Sequence, residues 1–165
     1  MSDKYFTFTK EKLHSIFCYE NGNLFWKSHK YKAYIGKKAG TLNPNGYIYI
    51  SINSKQYFAH RLIFLMNHGY LPKTIDHINN NKSDNRIENL RPATISENGL
   101  NRKTSKNNSS GVKNVAWCKS SKKWKVSMTV NGKDKYFGVY DNLELADLVA
   151  QEARDKFHGK FARHK

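Results

Sequence analysis

The sequence predicts an α+β protein with two small domains, and three of its features lead to that prediction. Apolar residues recur at helical spacing in a few segments. Short alternating segments lie between them and end at Asn-Gly or Pro-Asn-Gly turns, as antiparallel strands do. A polar stretch, TSKNNSSG at residues 104–111, has no apolar periodicity and predicts a linker. We therefore expect one domain over residues 1–103 and another over 112–165.

The N-terminal region is predicted to form a helix followed by hairpins. The segment TKEKLHSIFCY, residues 9–19, has apolar residues on one helical face. Turn signals follow in ENGN and NPNG, and GYIYISINSKQYFA alternates like two strands around Asn53-Ser54. AHRLIFLMNHG then has helical spacing and ends at Gly69, a common helix stop.

The segment TIDHINNNKSDNRIENLRPATISEN has an order that an ordinary polar loop does not need. An Asp76-His77 pair ends a predicted strand, Asn89 comes twelve residues after the histidine, and Asn98 comes nine residues later. LRP predicts a short return strand, and TISE is the capping box of a helix start. Strand, loop, strand and helix would form a compact unit around one cation.

The residue types in this unit suit phosphodiester hydrolysis, which needs a base, a cation and groups that hold both. His77 is suited to be the base because imidazole titrates near neutrality. Asp76 offers a hard oxygen ligand for Mg²⁺ or Mn²⁺. Successive strand residues point to opposite faces, so the two can serve one site only if the strand ends or twists there.

The second domain is predicted to contain three strands and one helix. VKNVAWCK, KKWKVSMTV and KYFGVY have strand character, with a tight turn at Asn131-Gly132. DNLELADLVAQEARDKFHG predicts an amphipathic helix that carries, on one side, Leu145, Leu148, Val149 and Ala153.

The charge balance indicates a polyanionic partner. The net charge is +16, with 29 Lys and Arg against 13 Asp and Glu, which points most simply to nucleic acid. The chain lacks a membrane-spanning apolar run and a signal-peptide pattern, so we expect no membrane partner and a cytoplasmic location, in a bacterial or phage-infected cell. Cys18 and Cys118 lie far apart and predict neither a zinc site nor a disulfide.

The ordered set DH-x₁₁-N-x₈-N, with the surrounding text, resembles the HNH endonucleases of the phage and intron-associated homing type. The resemblance covers roughly residues 45–103 and implies a ββα-metal nuclease core. His77 would be the general base, Asn89 would hold or polarise it, and Asp76 and Asn98 would bind one Mg²⁺ or Mn²⁺ ion. Asn98 stands where many members have histidine. An asparagine there suits the role of a metal ligand and not that of a second base. CxxC pairs are absent, so no structural zinc is expected.

Arginines around this core are candidates for phosphate contacts. The same family stretch often reads His-Arg where this chain has His60-Arg61, so Arg61 is expected to touch a phosphate and His60 to be structural. Arg86, Arg91 and Arg102 flank the proposed site, and each is either a phosphate clamp or a solvated surface residue.

Residues from about 107 to 165 resemble an AP2 DNA-binding domain, through the stretches GV, KKWKV, YFGVYDN and FHGKFA. The resemblance implies a three-stranded antiparallel sheet that lies on DNA and is packed on one helix. The implied DNA contacts are Lys113, Trp117, Lys119, Lys123, Trp124 and Lys125, with Lys133, Lys135 and Tyr136 as weaker candidates. For Trp124 a buried core position is an equal alternative. Lysine replaces arginine here, which favours phosphate anchoring over base reading.

Together these features predict a metal-dependent homing-type endonuclease that acts on double-stranded DNA, as a monomer, and leaves 5′-phosphate and 3′-hydroxyl ends. The main alternative is a transcriptional regulator without catalytic activity, built around the AP2-like domain. The complete Asp76, His77, Asn89 and Asn98 set argues against that alternative. An RNA-directed nuclease and a colicin-like toxin nuclease are further alternatives, the latter without support in the residues.

Overall fold

The chain divides into two compact units, Met1–Ile95 and Ser96–Lys165. The computed structural model describes residues 8–105 and 107–164. Both units mix helices with small antiparallel sheets, which confirms the predicted α+β class. The domain limits drawn from the linker at 104–111 stay a prediction.

The first unit contains two α-helices, two short 3₁₀ helices (Lys32–Tyr34 and Ile87–Asn89) and seven strands among its described residues. In chain order the α-helices and strands are α1 (Lys10–Ile16), β1 (Phe17–Glu20), β2 (Asn23–Trp26), β3 (Thr41–Leu42), β4 (Ile48–Ile52), β5 (Lys55–Phe58), α2 (Ala59–His68), β6 (Thr74–His77) and β7 (Leu90–Ala93). The strands form a β1-β2 hairpin, a β3-β4-β5 sheet and a β6-β7 pair.

The predicted helix over residues 9–19 was too long. α1 ends at Ile16, and Phe17 has extended dihedral angles and begins β1. Phe17 pairs with Trp26 across the hairpin, and the two rings pack with centroids 4.6 Å apart. The burial of two large aromatic rings outweighs one more turn of a short helix, whose stability depends on tertiary packing.

α2 forms the centre of the first unit's core. Leu62, Ile63, Phe64 and Met66 on this helix are all essentially inaccessible to solvent. The helix ends as predicted at Gly69, whose left-handed conformation (φ 77°) lets its N–H donate to the carbonyl of Leu65. The predicted two-residue turn at Asn53-Ser54 is also confirmed, since both residues have positive φ and Ile52 pairs with Lys55.

The second unit contains the predicted three strands and long helix. Its elements are α3 (Ile95–Leu100), which begins one residue before the division, β8 (Val115–Cys118), β9 (Lys123–Val130), β10 (Lys133–Tyr140) and α4 (Leu143–His158). The antiparallel sheet has the order β10-β9-β8. Asn142 caps α4 by accepting from the N–H groups of Glu144 and Leu145.

The apolar face predicted for α4 was partly wrong. Leu145 and Leu148 are exposed, at 48% and 62%, whereas the buried face carries Ala146, Ala150 and Ala153. These three alanines recur at helical spacing and allow the helix to approach the sheet closely. Val126 of β9 is fully buried in the same core.

None of the helices that the structure describes is long and apolar enough to cross a membrane.

Candidate active site

The Asp76-His77 pair lies at the end of β6, in the first unit. β6 ends at His77, and a turn closes directly after it, where the N–H of Asn80 donates to the carbonyl of His77. The strand therefore ends where the sequence required it to end. Both side chains are buried, Asp76 at 3% and His77 at 6% exposure. Two buried ionisable groups side by side are unusual outside functional sites.

Asp76 forms an ion pair with Arg91, the residue directly opposite it on β7. Arg91 donates from Nε at 2.8 Å to Asp76 Oδ2, and its Nη2 lies 2.6 Å from the same oxygen. Both side chains are largely buried, so each charge is stabilised by the other and would be unfavourable without it. Arg91, predicted as a phosphate clamp or a surface residue, thus holds the carboxylate next to His77.

Asn85 is a contact of His77 that sequence reasoning missed. His77 Nε2 lies 3.0 Å from Asn85 Oδ1, and Asn85 is 1% exposed. Asn85 Nδ2 has no hydrogen-bond partner among the described residues. The only sequence signal for Asn85 was its place in the Asn-rich loop NNNKSDNRIEN. This loop contains five asparagines, and the sequence does not distinguish which of them contacts His77.

Two aromatic side chains from earlier in the chain lie around His77. The ring of His60 at the start of α2 lies edge-on to it, with centroids 5.0 Å apart, and the Tyr47 ring is 6.1 Å away. Burial lowers the pKa of His60 to about 3, helped by its proximity to His77 and Arg61. His60 is therefore a neutral buried residue, in keeping with the structural role expected for it.

The pKa of His77 is also lowered. Burial is the main cause, and it outweighs the hydrogen bond to Asn85 and the nearby Asp76 carboxylate, which both raise the pKa. At neutral pH the imidazole of His77 is therefore uncharged, the form in which it can accept a proton.

Asn89 lies directly before β7 and holds the intervening loop together through hydrogen bonds. Its Oδ1 accepts from the N–H of Asn79, and its Nδ2 donates to Asn79 Oδ1 and to the carbonyl of Asp84. Its own carbonyl accepts from the N–H of Ile78, the residue after His77. Asn89 thus fixes the loop that carries Asn85, while the predicted polarisation of His77 by Asn89 stays a prediction.

The β1-β2 hairpin also contacts this loop. Gly22 in its turn has φ +80°, and a Cβ there would lie 2.6 Å from the backbone nitrogen of Arg86. The Tyr19 hydroxyl accepts from the N–H of Ile87 at 3.0 Å. The backbone next to Asn85 is therefore held by a hairpin more than sixty residues earlier in the chain.

The other predicted arginines occupy distinct environments. Arg86 is bound in a bidentate manner by Asp84, which lowers the pKa of that carboxyl well below its usual range. Arg61 directs Nη1 toward the carbonyls of Pro72 and Lys73, at 3.5 and 3.4 Å. Arg102 is exposed, in the second unit. The phosphate contacts predicted for these residues stay predictions.

Asn98, the second predicted metal ligand, lies in α3 within the second unit. Its amide oxygen and the Asp76 carboxylate are hard oxygen donors, which fit Mg²⁺ or Mn²⁺. Within residues 8–105 and 107–164, His, Cys, Asp and Glu form no cluster of three that could hold a metal ion. Each side chain thus offers a donor of the type that Mg²⁺ takes, and the binding of one ion by both stays a prediction.

In the second unit, the two faces of the β8-β9-β10 sheet differ. Lys125 is exposed and alternates with the buried Val126, so it lies on the face away from the core. Trp117 and Trp124 pair across β8 and β9, with ring centroids 4.9 Å apart, and Trp124 packs against the core. The alternative that Trp124 is a core residue fits this packing.

The remaining lysines predicted to bind DNA differ in exposure and in the contacts that they make. Lys119 is exposed, whereas Lys123 Nζ lies 3.0 Å from Asp141 Oδ2. Lys113 donates to the carbonyls of Leu100 and Arg102, both at 2.7 Å, and burial lowers its pKa to about 8. Lys113 therefore holds the end of α3 within its own unit.

Comparison with known proteins gives a consistent picture. The family described as HNH endonuclease matches residues 57–100, which contain Asp76, His77, Asn85, Asn89 and Asn98. The chain is 39% identical over 97 residues to "Protein 3.8" of Escherichia phage T7, a match that covers 58% of this chain and 79% of that protein. It is 32% identical over 136 residues to "Uncharacterized HNH endonuclease L560" of Acanthamoeba polyphaga mimivirus, covering 81% of this chain and 66% of that protein. No solved structure matches the chain.

Proposed function

The chain belongs to the HNH endonuclease family, and from this membership we propose that it is a metal-dependent, homing-type endonuclease of double-stranded DNA. The membership itself makes the chain a nuclease that hydrolyses DNA, and HNH nucleases generally depend on a divalent metal ion. The observation that supports the proposal most is the buried, neutral His77, hydrogen-bonded to Asn85 and adjacent to the Asp76 carboxylate.

His77 acts as the general base in this proposal. With Nε2–H donated to Asn85 Oδ1, the lone pair lies on Nδ1, which takes the proton from the attacking water. The imidazolium that forms is stabilised by the Asp76 carboxylate and by the same hydrogen bond, both of which raise the pKa of His77. Asn89 fixes the loop and so keeps the Asn85 acceptor in place.

Asp76 and Asn98 hold the cation in this proposal, Mg²⁺ or Mn²⁺, one ion per chain. When bound, the ion supplies Lewis-acid stabilisation of charge on the phosphate and on the leaving 3′ oxygen. Arg91 orients the Asp76 carboxylate through its ion pair. Attack on phosphorus would leave 5′-phosphate and 3′-hydroxyl ends.

DNA is bound, in this proposal, by both basic units. The net charge of +16 favours a polyanion throughout. We assign the AP2-like role to the second unit, whose outward sheet face carries Lys125. The proposed contacts are Arg61, Arg86, Arg91, Arg102, Lys113, Trp117, Lys119, Lys123, Trp124 and Lys125. We propose a monomer that works in the cytoplasm of a phage-infected or bacterial cell, which the phage relative supports.

Cleavage of supercoiled plasmid tests the proposal. Wild-type protein is expected to nick the plasmid with Mg²⁺ or Mn²⁺ and to be inactive in EDTA. His77→Ala is expected to lose at least about 10²-fold in rate, because removal of a general base costs about 10²–10⁴-fold. DNA binding, measured by a gel-shift assay, should be retained.

His68→Ala is a suitable control, since it removes an exposed histidine near the end of α2 in the same unit. Its cleavage rate should equal that of wild type. Equal rates for His77→Ala and wild type, with both proteins folded, would contradict the assignment of His77 as the base. Cleavage by wild type in EDTA would contradict the metal dependence.

A further inference from the structure

A basic and aromatic segment of the first unit, KSHKYKAYIGKK, spans residues 27–38. It contains five lysines and no acidic residue. Tyr31 is 59% exposed and Tyr34 is 50% exposed, and Ile35 beside them is also exposed. We call this segment the aromatic–lysine surface. Large apolar side chains that cluster in solvent indicate a binding site, since their exposure is otherwise unfavourable.

The backbone of this surface is fixed by hydrogen bonds at both ends. At one end, the N–H of Lys27 donates to the carbonyl of Ile16 at 2.8 Å. At the other, the N–H of Gly36 donates to the carbonyl of Trp26, and the N–H of Trp26 donates to the carbonyl of Lys37. The exposed rings therefore stand on an ordered loop, which reduces the entropy that binding would cost.

His29 connects the exposed rings to the core. Its ring centroid lies 4.5 Å from that of the buried Trp26, 4.6 Å from Tyr34 and 5.9 Å from Tyr31. Its Nδ1 lies 3.1 Å from the backbone nitrogen of Tyr31 and 3.3 Å from the carbonyl oxygen of the same residue. The three rings are thus held in a defined arrangement.

A cleft of about 560 Å³ adjoins the aromatic–lysine surface. Its walls include Trp26, His29 and Tyr31, with Lys12 and Lys30 at the same cleft and Asn53 from the β4-β5 turn. This volume lies within the range of about 300–1,000 Å³ typical of sites for small organic groups. A nucleoside fits these dimensions and this mixture of aromatic, amide and cationic side chains.

We propose that the aromatic–lysine surface binds unpaired nucleotides of the DNA substrate, with bases stacked on Tyr31 and Tyr34 and phosphates paired with the neighbouring lysines. The inference rests on the proposed function, because that function makes DNA the ligand. A fully paired duplex would be bound through the lysines alone, because its bases are already stacked on one another and are not available to the two tyrosines. Proteins that hold single strands combine cations with exposed aromatic rings, as this surface does.

A binding competition tests this inference without cleavage. Fluorescence anisotropy in EDTA would compare a labelled duplex containing an internal loop of unpaired thymidines with a fully paired duplex of the same length. Tyr31→Ala/Tyr34→Ala is expected to weaken binding to the looped DNA by at least about fivefold, the loss expected for one stacked base. Binding to the paired duplex should change less than about twofold. Tyr31→Phe/Tyr34→Phe should bind both DNAs like wild type, because the rings remain.

Tyr70→Ala is the matched control, since it removes an equally exposed tyrosine elsewhere in the same unit. It should leave the affinity for both DNAs unchanged. Circular dichroism of each variant would establish that it is folded. An alanine variant that binds looped DNA like wild type, or that loses affinity equally for both DNAs, would overturn the inference. Wild-type protein that binds neither DNA would overturn this inference and the proposed DNA substrate together, whereas a failed plasmid assay with intact selective binding would overturn the proposed cleavage alone.

Discussion

At the scale of single residues, His77 depends on side chains that the Asp-His-Asn-Asn spacing does not include. Asn85 accepts from its Nε2, and His60 and Tyr47 pack around its ring. These neighbours remove water from the imidazole and fix its orientation. They control both the proton affinity of His77, the proposed base, and the direction of its lone pair.

Asn85→Asp is expected to move the acid limb of the pH–rate profile to higher pH. A carboxylate near His77 Nε2 favours the imidazolium and so raises the pKa of His77. With His77 as the proposed base, cleavage needs the neutral ring, so the rate is expected to rise with pH through that pKa. In wild type the lowered pKa of His77 keeps the limb below its ordinary value near 6.5. Plasmid nicking rates between about pH 5 and 8 would measure the acid limb of wild type and that of Asn85→Asp.

Asn85→Ala is the companion variant, because it removes the hydrogen bond that raises the pKa of His77. Its acid limb should move to lower pH, and its plateau rate should fall by about 10²-fold as the ring loses its orientation. Superimposable profiles for the three proteins would show that Asn85 does not act through His77.

His60→Phe is expected to make stability less sensitive to acid. The pKa of His60 is lowered to about 3 in the folded state, against about 6.5 in the unfolded chain. Protonation therefore favours the unfolded state. The stability that the neutral His60 contributes to the folded state is complete above pH 6.5. It is lost, by up to about 1.4 kcal/mol per pH unit, as the pH falls toward 3. Phenylalanine binds no proton and suits the aromatic neighbours Tyr47 and Phe58.

Urea unfolding of wild type and His60→Phe over this pH range would measure the difference. The two curves of unfolding free energy should diverge as the pH falls below 6.5, with His60→Phe the less affected. His68→Phe controls for the loss of a histidine from the same helix. Parallel curves for wild type and His60→Phe would contradict the linkage assigned to His60.

At the scale of elements, the β1-β2 hairpin acts as a support for the loop that carries Asn85. Its turn contacts the backbone at Asn85-Arg86, and Tyr19 accepts from the N–H of Ile87. The position of the His77 acceptor therefore depends on an element that carries none of the proposed catalytic residues.

Gly22→Ala is expected to lower the nicking rate by about tenfold or more, as the new methyl group pushes the Asn85-Arg86 backbone away from it. Gly132→Ala is the matched control, because Gly132 has a similar φ of +75° and a methyl group added there would meet nothing within 4 Å. Both variants bear the left-handed backbone penalty of about 1 kcal/mol. Equal nicking rates for the two would argue against support by the hairpin.

At the scale of the whole molecule, positive charge is the property that both units share. It predicts that DNA affinity falls steeply as salt rises, because bound lysines release counterions from the phosphates. Lys125→Gln should make the plot of log affinity against log salt shallower by about 0.9, the value for one phosphate contact. Affinity titrations in EDTA at several salt concentrations would give the slope.

Lys10→Gln provides the charge-matched comparison, since it removes one positive charge from the first unit, where Lys10 Nζ donates to the Asn67 carbonyl. It should change the slope less than Lys125→Gln does. Equal changes would indicate a general charge effect instead of a contact by Lys125.

Local patterns determined most of the elements and the family. Turn signals at Asn53-Ser54 and Asn131-Gly132, the Gly69 helix stop and the alternating strands depend on neighbours in sequence, so they could be predicted from it. The spacing of Asp76, His77, Asn89 and Asn98 was likewise sufficient to indicate the family.

Tertiary structure alone decided what surrounds those residues. Contacts between residues that are not neighbours in sequence decided four features. They are the end of α1 at Ile16, the alanine face of α4, the Arg91 partner of Asp76 and the Asn85 acceptor of His77. The periodicity of apolar residues in the sequence predicts that one face of an element is apolar. Which side chains are buried also depends on how closely another element can approach that face. Similarly, five asparagines in one loop are equivalent in sequence, and only the fold buries one of them against the histidine.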